Sequence, residues 1–206
     1  MIEGKEIVIA THNPDKKKEI MVALSEFSEL GVNILSLDNF PEIGEIEETG
    51  STLLENSLIK ARTVSAITGK PTVADDTGLE VDALNGAPGI FSARYAGNNA
   101  SYKDNVRKLL SEMSTFDMSS RTARFRTVVS FHSSKKELWT EGVIEGSITK
   151  SAIGKGGFGY DPVFKVEKTG KTFAEMTRKE KNIISHRGLA LEKMCNQLKV
   201  FFKRKG

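Results

Sequence analysis

The sequence predicts a mixed α/β fold. Three observations predict it. Short apolar runs alternate with helical periodicity in the first part of the chain. A long alternating segment over residues 124–132 is then followed by a second over 137–148, as in a β-hairpin. The chain closes on an amphipathic helix. Strands separated by helices favour parallel pairing and hairpins are antiparallel, so one chain with both gives a mixed sheet rather than a pure doubly wound fold. The 206 residues suit one domain, 1–206, with ample core. No repeat, low-complexity tract or long linker divides them.

The elements follow in order. Ile7-Val8-Ile9-Ala10 is a buried strand. Asn13 then Pro14 starts a helix, with Asn13 as N-cap and Pro14 at the first helical position. Ile20, Ala23, Leu24 and Phe27 continue at helical spacing. Residues 36–50 are acidic and irregular. Thr52-x-x-Glu55 has the form of a capping box. Leu54, Leu58 and Ala61 give that helix its inner face, and Gly69-Lys70-Pro71 stops it. Thr72-Val73-Ala74 is a second short strand, which Asp75-Asp76-Thr77-Gly78 breaks. Asn85-Gly86 and Pro88-Gly89 mark turns. Val106, Leu109, Leu110 and Met113 indicate another helix. Phe125, Thr127, Val129 and Phe131 share one face of the first hairpin strand, with the turn near Ser133-Ser134. Leu191, Met194, Leu198 and Phe201 line the last helix.

Composition excludes several classes. The net charge of +3 is too mild to argue for nucleic acid. The single cysteine, Cys195, permits no internal disulfide and no cysteine-based zinc site, and its apolar-periodic setting places it in the core. No apolar run is long enough for a membrane span, and the start of the chain lacks a signal peptide's apolar stretch. A cytoplasmic address is expected.

Three segments suggest chemistry. Lys16, Lys17 and Lys18 sit at a helix start, the wrong end for cations. A bound phosphate would relieve the mismatch, and a solvated lysine run is the plain alternative. Asp75 and Asp76 are adjacent carboxylates at a strand end. Neighbours alternate in direction, so one of them faces a given site. Magnesium takes one or two such carboxylates with waters and phosphates; read alone, the segment is also good turn chemistry. The glycine-rich loop at residues 154–159 runs into Tyr160-Asp161-Pro162, with Lys181 and Ser185-His186-Arg187 beyond. Glycines admit a ligand close to the backbone, Phe158 can stack on a base, and Arg187 can donate two parallel hydrogen bonds. The spacing is not that of a Walker loop, and a glycine loop alone is a weak signal.

Together these segments resemble the inosine triphosphate pyrophosphatase-like family of house-cleaning nucleotide hydrolases. The resemblance rests on Ala10-Thr11-His12-Asn13-Pro14-Asp15-Lys16, Glu47-Glu48-Thr49-Gly50 with Glu55-Asn56, Ala74-Asp75-Asp76-Thr77-Gly78-Leu79, and the run from Gly86 through Pro88, Phe91 and Arg94 to Tyr95. It continues in Gly156-Gly157-Phe158-Gly159-Tyr160-Asp161-Pro162, and in Glu180-Lys181 with Ile184-Ser185-His186-Arg187. The blocks keep the family's order from Ile7 to about Leu198. His12 stands where many relatives have glycine, and Thr77 where serine is common.

The resemblance implies a long curved mixed sheet flanked by helices, in two lobes with the nucleotide cleft between them. It implies magnesium-dependent hydrolysis of ITP, dITP and XTP to monophosphate and pyrophosphate, which keeps them out of DNA and RNA. A homodimer is implied, with no nucleic-acid or membrane partner. Carried over by position, Thr11, His12, Asn13, Pro14, Asp15 and Lys16 hold the phosphates. Glu48 and Asp76 bind metal, and Glu42, Glu45 and Glu47 are alternatives to Glu48. Asp76 activates water, Lys16 stabilises the leaving pyrophosphate, and Thr77 touches substrate. Phe158, Gly159, Tyr160, Asp161, Lys181, His186 and Arg187 complete the nucleotide site. Arg187 is the expected donor to the purine 6-carbonyl, a group that ATP lacks.

Two other readings compete. A noncatalytic nucleotide- or RNA-binding module would use the basic Lys203-Arg204-Lys205 tail, but has no need of the paired aspartates and Glu48. A pyrimidine-specific pyrophosphatase of related architecture would keep the chemistry and change the base.

Overall fold

The computed structural model describes residues 6–203. Its strands are β1 (Glu6–Ile9), β2 (Asn33–Ser36), β3 (Thr72–Val81), β4 (Pro88–Gly89), β5 (Thr122–His132), β6 (Glu137–Ile148) and β7 (Phe164–Val166). Its α-helices are α1 (Pro14–Leu24), α2 (Leu53–Thr68), α3 (Tyr102–Glu112), α4 (Arg178–Ile184) and α5 (His186–Lys203). The strands form a mixed sheet in the order β2-β1-β3-β5-β6-β7, with β4 paired to β3. The chain divides into two compact units. One holds the chain through Asp76, Thr127–Gly142 and the chain from Arg187; the other holds Thr77–Arg126 and Val143–His186.

In the first unit β1 pairs in parallel with both β2 and β3, Val8 lying opposite Leu35 and Thr72. Parallel neighbours need crossovers, and α1 and α2 supply them. Side chains of β1 alternate between two cores. Ile7 and Ile9 join Val73, Ile20, Leu24, Leu191, Met194 and Leu198 on the face covered by α1 and α5. Val8 and Ala10 join Ala74, Ala61 and Val64 on the face covered by α2. Each fully buried valine, leucine, isoleucine or methionine side chain among them is worth about 1.5–3 kcal/mol. Cys195 is buried with the first cluster, and burial pushes its thiol up to about 12, so it is a core residue and not a nucleophile.

In the second unit the core gathers Leu79, Val81, Leu109, Phe125, Phe164 and Phe173. Arg121, buried and unexpected from sequence, donates to the carbonyls of Met113, Ile148 and Thr149. It ties the C-terminus of α3 to the end of β6 by placing a cation where helix carbonyls have no partner.

Local sequence signals hold where the cause is local. Asn13 Oδ1 accepts from the amides of Asp15 and Lys16, and Pro14 opens α1. Gly69 ends α2 at φ 66°, and Asn85-Gly86 turns with both residues at positive φ. The hairpin of β5 and β6 stands as expected. Strand β2 went unseen because its only buried residue is Ser36. The Thr52 box stands with an added partner: Thr52 Oγ1 caps the Glu55 amide, and the Glu55 carboxylate also accepts from the amide and hydroxyl of Ser51.

The main correction concerns β3. The two aspartates do not break the strand; it runs on for 10 residues through both. They tolerate burial because each is paired, as described below. Gly78 lets the far half of the strand close on β4, since a Cβ there would lie 2.8 Å from the Gly89 carbonyl oxygen.

One ion cluster of the first unit sets an acid limit. Glu137 accepts two hydrogen bonds from Arg62 at 2.7 Å and one contact from His132 at 2.9 Å. Arg62, with His132 adding, holds the Glu137 carboxyl down to about 2. A depressed carboxylate contributes stability that is present above its unfolded value, about 4.3, and is lost as pH falls through the folded value. Thermal melts from pH 7 to pH 2 should therefore show Glu137→Gln slightly less stable at pH 7 and less sensitive to acid between about pH 4 and 2. Parallel curves for the two proteins would remove this ion cluster from the account of acid stability.

Candidate active site

The first unit brings most of the predicted phosphate and metal residues together. The loop after β1 places Thr11 Oγ1 3.2 Å from the Asn13 amide, which it accepts, and His12 Nε2 2.9 Å from the Gly44 carbonyl oxygen. Asp15 lies in the first turn of α1, the end where acidic groups are favourable. The helix-start lysines find carboxylates: Lys16 Nζ lies 3.3 Å from Asp75 Oδ2, and Lys17 Nζ 2.5 Å from Asp38 Oδ2.

Alternation along β3 sends the two aspartates to different partners. Asp75 follows Val73 toward α1 and α5. Its Oδ2 accepts from Arg187 Nε at 3.0 Å and pairs with Lys16. Arg187 in turn donates through Nη1 to Glu19 Oε2 at 2.5 Å. All of Asp75, Glu19 and Arg187 are buried. Burial opposes ionisation of Asp75, but Lys16 and Arg187 hold its carboxyl well below the usual carboxylate range. Arg187 is raised above its ordinary value by Asp75 and Glu19, against the effect of burial.

Asp76 follows Ala74 toward α2. Lys60 on that helix lies 3.4 Å from Asp76 Oδ1 and makes a close ion pair with Glu48. Asp76 Oδ2 is buried and has no hydrogen-bond partner among the described residues. Burial raises the Asp76 carboxyl, with Glu48 and Asp75 adding to the rise and Lys60 and Lys16 opposing it. Lys16 is lowered, chiefly by burial. Among the described residues no group of three or more His, Cys, Asp or Glu converges as a metal centre. Glu48 and Asp76 make a two-carboxylate set, and the unpartnered Asp76 oxygen is a ready acceptor for a hard cation. That set fits magnesium, which completes its shell with water and phosphate oxygens.

The second unit collects the residues assigned to the rest of the nucleotide. Asp161 Oδ2 accepts from the Phe158 amide at 2.8 Å and from Lys181 Nζ at 2.6 Å. The Lys181 ammonium lies 4.3 Å from the Phe158 ring centroid, and the Tyr102 ring is 6.0 Å from it. Gly157 has no room for a side chain: a Cβ would meet Asp161 Oδ2 at 2.1 Å. Close approach is indeed why that glycine is there, but what approaches is Asp161. Tyr160 is buried and donates to the Ser92 carbonyl at 2.9 Å. Gly159, at φ 60°, has open space where a side chain would be. Thr77 is half-buried on β3. The His186 ring is buried and stacks on Phe125, centroids 4.5 Å apart and 12° from parallel.

Two of the assigned residues have contacts that the sequence does not disclose. Arg187 donates through Nε to Asp75 and through Nη1 to Glu19. His186 is packed in an aromatic cluster. Three residues of this cluster carry no assignment from the sequence: Asp75 stands there only as the neighbour of Asp76, and Lys60 and Glu19 are not singled out. Lys60 follows Asn56 and Ser57 on the face of α2 turned to β3, where Ser57 Oγ donates to the Ala74 carbonyl.

Comparison with known proteins shows the family. The Ham1 family pattern matches residues 7–197. The chain is 47% identical over 192 residues to the dITP/XTP pyrophosphatase of Thermoanaerobacter sp. (strain X514), covering 93% of this chain and 96% of that protein. It is 45% identical over 199 residues to the dITP/XTP pyrophosphatase of Bacillus subtilis (strain 168), covering 96% and 99%. Among solved structures, a HAM1 protein from Coxiella burnetii superposes with a TM-score of 0.85 at 43% identity, over 94% of this chain and 98% of that one. The Staphylococcus aureus Ham1 protein gives 0.82 at 37%, over 98% and 100%. Such likeness over nearly the whole length, on a matching fold, places the chain in the Ham1 family.

Proposed function

We propose that the protein is a magnesium-dependent nucleoside triphosphate pyrophosphatase acting on ITP, dITP and XTP, releasing the monophosphate and pyrophosphate and so keeping these nucleotides out of DNA and RNA. The observation that carries the reading is the buried Asp76 carboxylate, with one oxygen unpartnered, set beside Lys60, Glu48 and the Lys16–Asp75 pair. Such a collection suits an anionic substrate and a proton acceptor.

The roles follow from charge and direction. Glu48 and Asp76 would hold magnesium, which when bound supplies charge neutralisation and a Lewis acid. Asp76 orients the attacking water and takes its proton; its raised carboxyl is a better acceptor than an ordinary aspartate. Water attacks the α-phosphorus, the bond to the bridging oxygen breaks, and pyrophosphate leaves. Lys16, at the start of α1 beside the Thr11, His12, Asn13, Pro14 and Asp15 segment, offsets the charge on the leaving group. Lys60 keeps two carboxylates close before the substrate arrives. Phe158 offers a ring for the base, held by Lys181 and Asp161, while Gly159, Thr77, Tyr160 and His186 shape that end. Arg187 acts here by holding Asp75.

The same reading carries a homodimer and a cytoplasmic address. Among the described residues no helix is long and apolar enough to cross a membrane. Arg204 and Lys205 of the basic tail lie outside the described residues.

Pyrophosphate release from ITP, XTP, dITP, GTP, ATP, dTTP and UTP, with magnesium and with EDTA, tests the proposal. Strong magnesium-dependent release from ITP, dITP and XTP, and weak release from ATP and GTP, is expected. Release from dTTP or UTP alone would keep the hydrolase and discard the purine site. No release from a folded protein would favour a binding module.

A further inference from the structure

The metal pair needs Glu48 in place, yet Glu48 lies on the irregular acidic segment that precedes α2. Something must anchor that segment. The anchor is visible at Gly50, two residues beyond Glu48, whose amide donates to Asn56 Oδ1 at 2.8 Å. Because a backbone N–H can only donate, this contact also fixes which end of the Asn56 amide is the oxygen.

Asn56 is fully buried, and its Nδ2 has no hydrogen-bond partner among the described residues. A buried donor left without a partner is costly. If packing were all that mattered here, an apolar side chain would serve better, so the carbonyl bond to Gly50 is what the position requires. The fit is tight: a Cβ on Gly50 would lie 2.7 Å from Asn56 Oδ1 and 2.6 Å from Glu55 Cβ. The next turn is stitched down as well, by Ser51 to the Glu55 carboxylate and by Thr52 to the Glu55 amide. One helical turn beyond Asn56, on the same face, stands Lys60, which reaches both Glu48 and Asp76.

We propose that Asn56 is a positioning residue for the Glu48 carboxylate. Its side-chain carbonyl clamps the Gly50 end of the acidic segment onto α2, so that Glu48 is delivered to the Asp76 side of the helix. The inference rests on the reading of Glu48 as a magnesium ligand.

The test uses the full chain with four variants, Asn56→Ala, Asn56→Asp, Gly50→Ala and Glu48→Gln. Two quantities are read: hydrogen exchange of the Gly50 amide without metal, and the magnesium concentration giving half-maximal ITP turnover. Supporting partners of a metal ligand typically matter about 10–100-fold in metal affinity. Asn56→Ala should speed Gly50 exchange and raise the magnesium requirement about 10-fold or more. Asn56→Asp, which restores an acceptor, should return the protection of Gly50. Gly50→Ala should raise the magnesium requirement with Asn56 intact, and serves if Asn56→Ala folds poorly. If Glu48→Gln raises the requirement while Asn56→Ala and Gly50→Ala lower only the melting temperature, Asn56 is structural and the proposal falls alone. If Glu48→Gln leaves the requirement unchanged, the metal reading itself falls.

Discussion

Asp76→Asn is expected to lower ITP turnover about 10³-fold, within the range of a lost general base, while the melting temperature stays within about 3 °C of the parent. The two halves of that expectation have separate causes. Turnover falls because the amide takes no proton and is a poor ligand for a hard cation. Stability holds because asparagine keeps an oxygen for Lys60, and because the folded protein disfavours the charge. The Asp76 carboxyl is raised above its ordinary value, so above that ordinary value its ionised form costs stability, and the amide removes the cost. Asp75→Asn is the control one residue away. There the folded carboxyl is depressed, so its charge stabilises the fold at neutral pH and is lost only in strong acid. Asp75→Asn should therefore lower the melting temperature, where Asp76→Asn does not. Steady-state kinetics and thermal melts on both variants suffice. Near-normal turnover by Asp76→Asn would end its assignment as the proton acceptor.

This pair of neighbours also shows what the sequence can and cannot disclose. The helix start at Asn13-Pro14 was legible because both partners of the cap lie within three residues. The core faces of β1 and α5 were legible from apolar periodicity. Asp75-Asp76, by contrast, reads as a turn, since adjacent carboxylates resist burial and the cations that permit it are distant in sequence. Lys16 comes from α1, Lys60 from α2 and Arg187 from α5. The same limit hid Glu19. Its neighbours Lys17 and Lys18 suggest a solvated face, and only the folded packing of α5 brings Arg187 against it. The site's membership came from resemblance. Which members touch one another is a property of long-range packing, and that packing sets Arg187 between Asp75 and Glu19.

Arg187 carries the largest expected effect on stability. Its side chain is 2% exposed, and its guanidinium contacts two buried carboxylates. Removing one partner of a buried ion network leaves uncompensated charge, which costs about 3–5 kcal/mol. For a chain of this size that corresponds to a fall of roughly 6–20 °C in melting temperature. Arg187→Met, which keeps much of the side-chain volume, should show it. Both carboxylates then lose a cation, and Asp75 keeps Lys16. Glu19→Gln added to Arg187→Met should recover part of the loss, and Asp75→Asn should recover more when added to both. Recovery on neutralising the carboxylates is the signature of buried like charge, and lost packing alone would not give it. The reading also predicts where function suffers. If Arg187 holds Asp75, and Asp75 holds Lys16, then Arg187→Met assayed well below its melting temperature should lose turnover on ITP and ATP alike. A selective gain on ATP, with the melting temperature unchanged, would return Arg187 to the base.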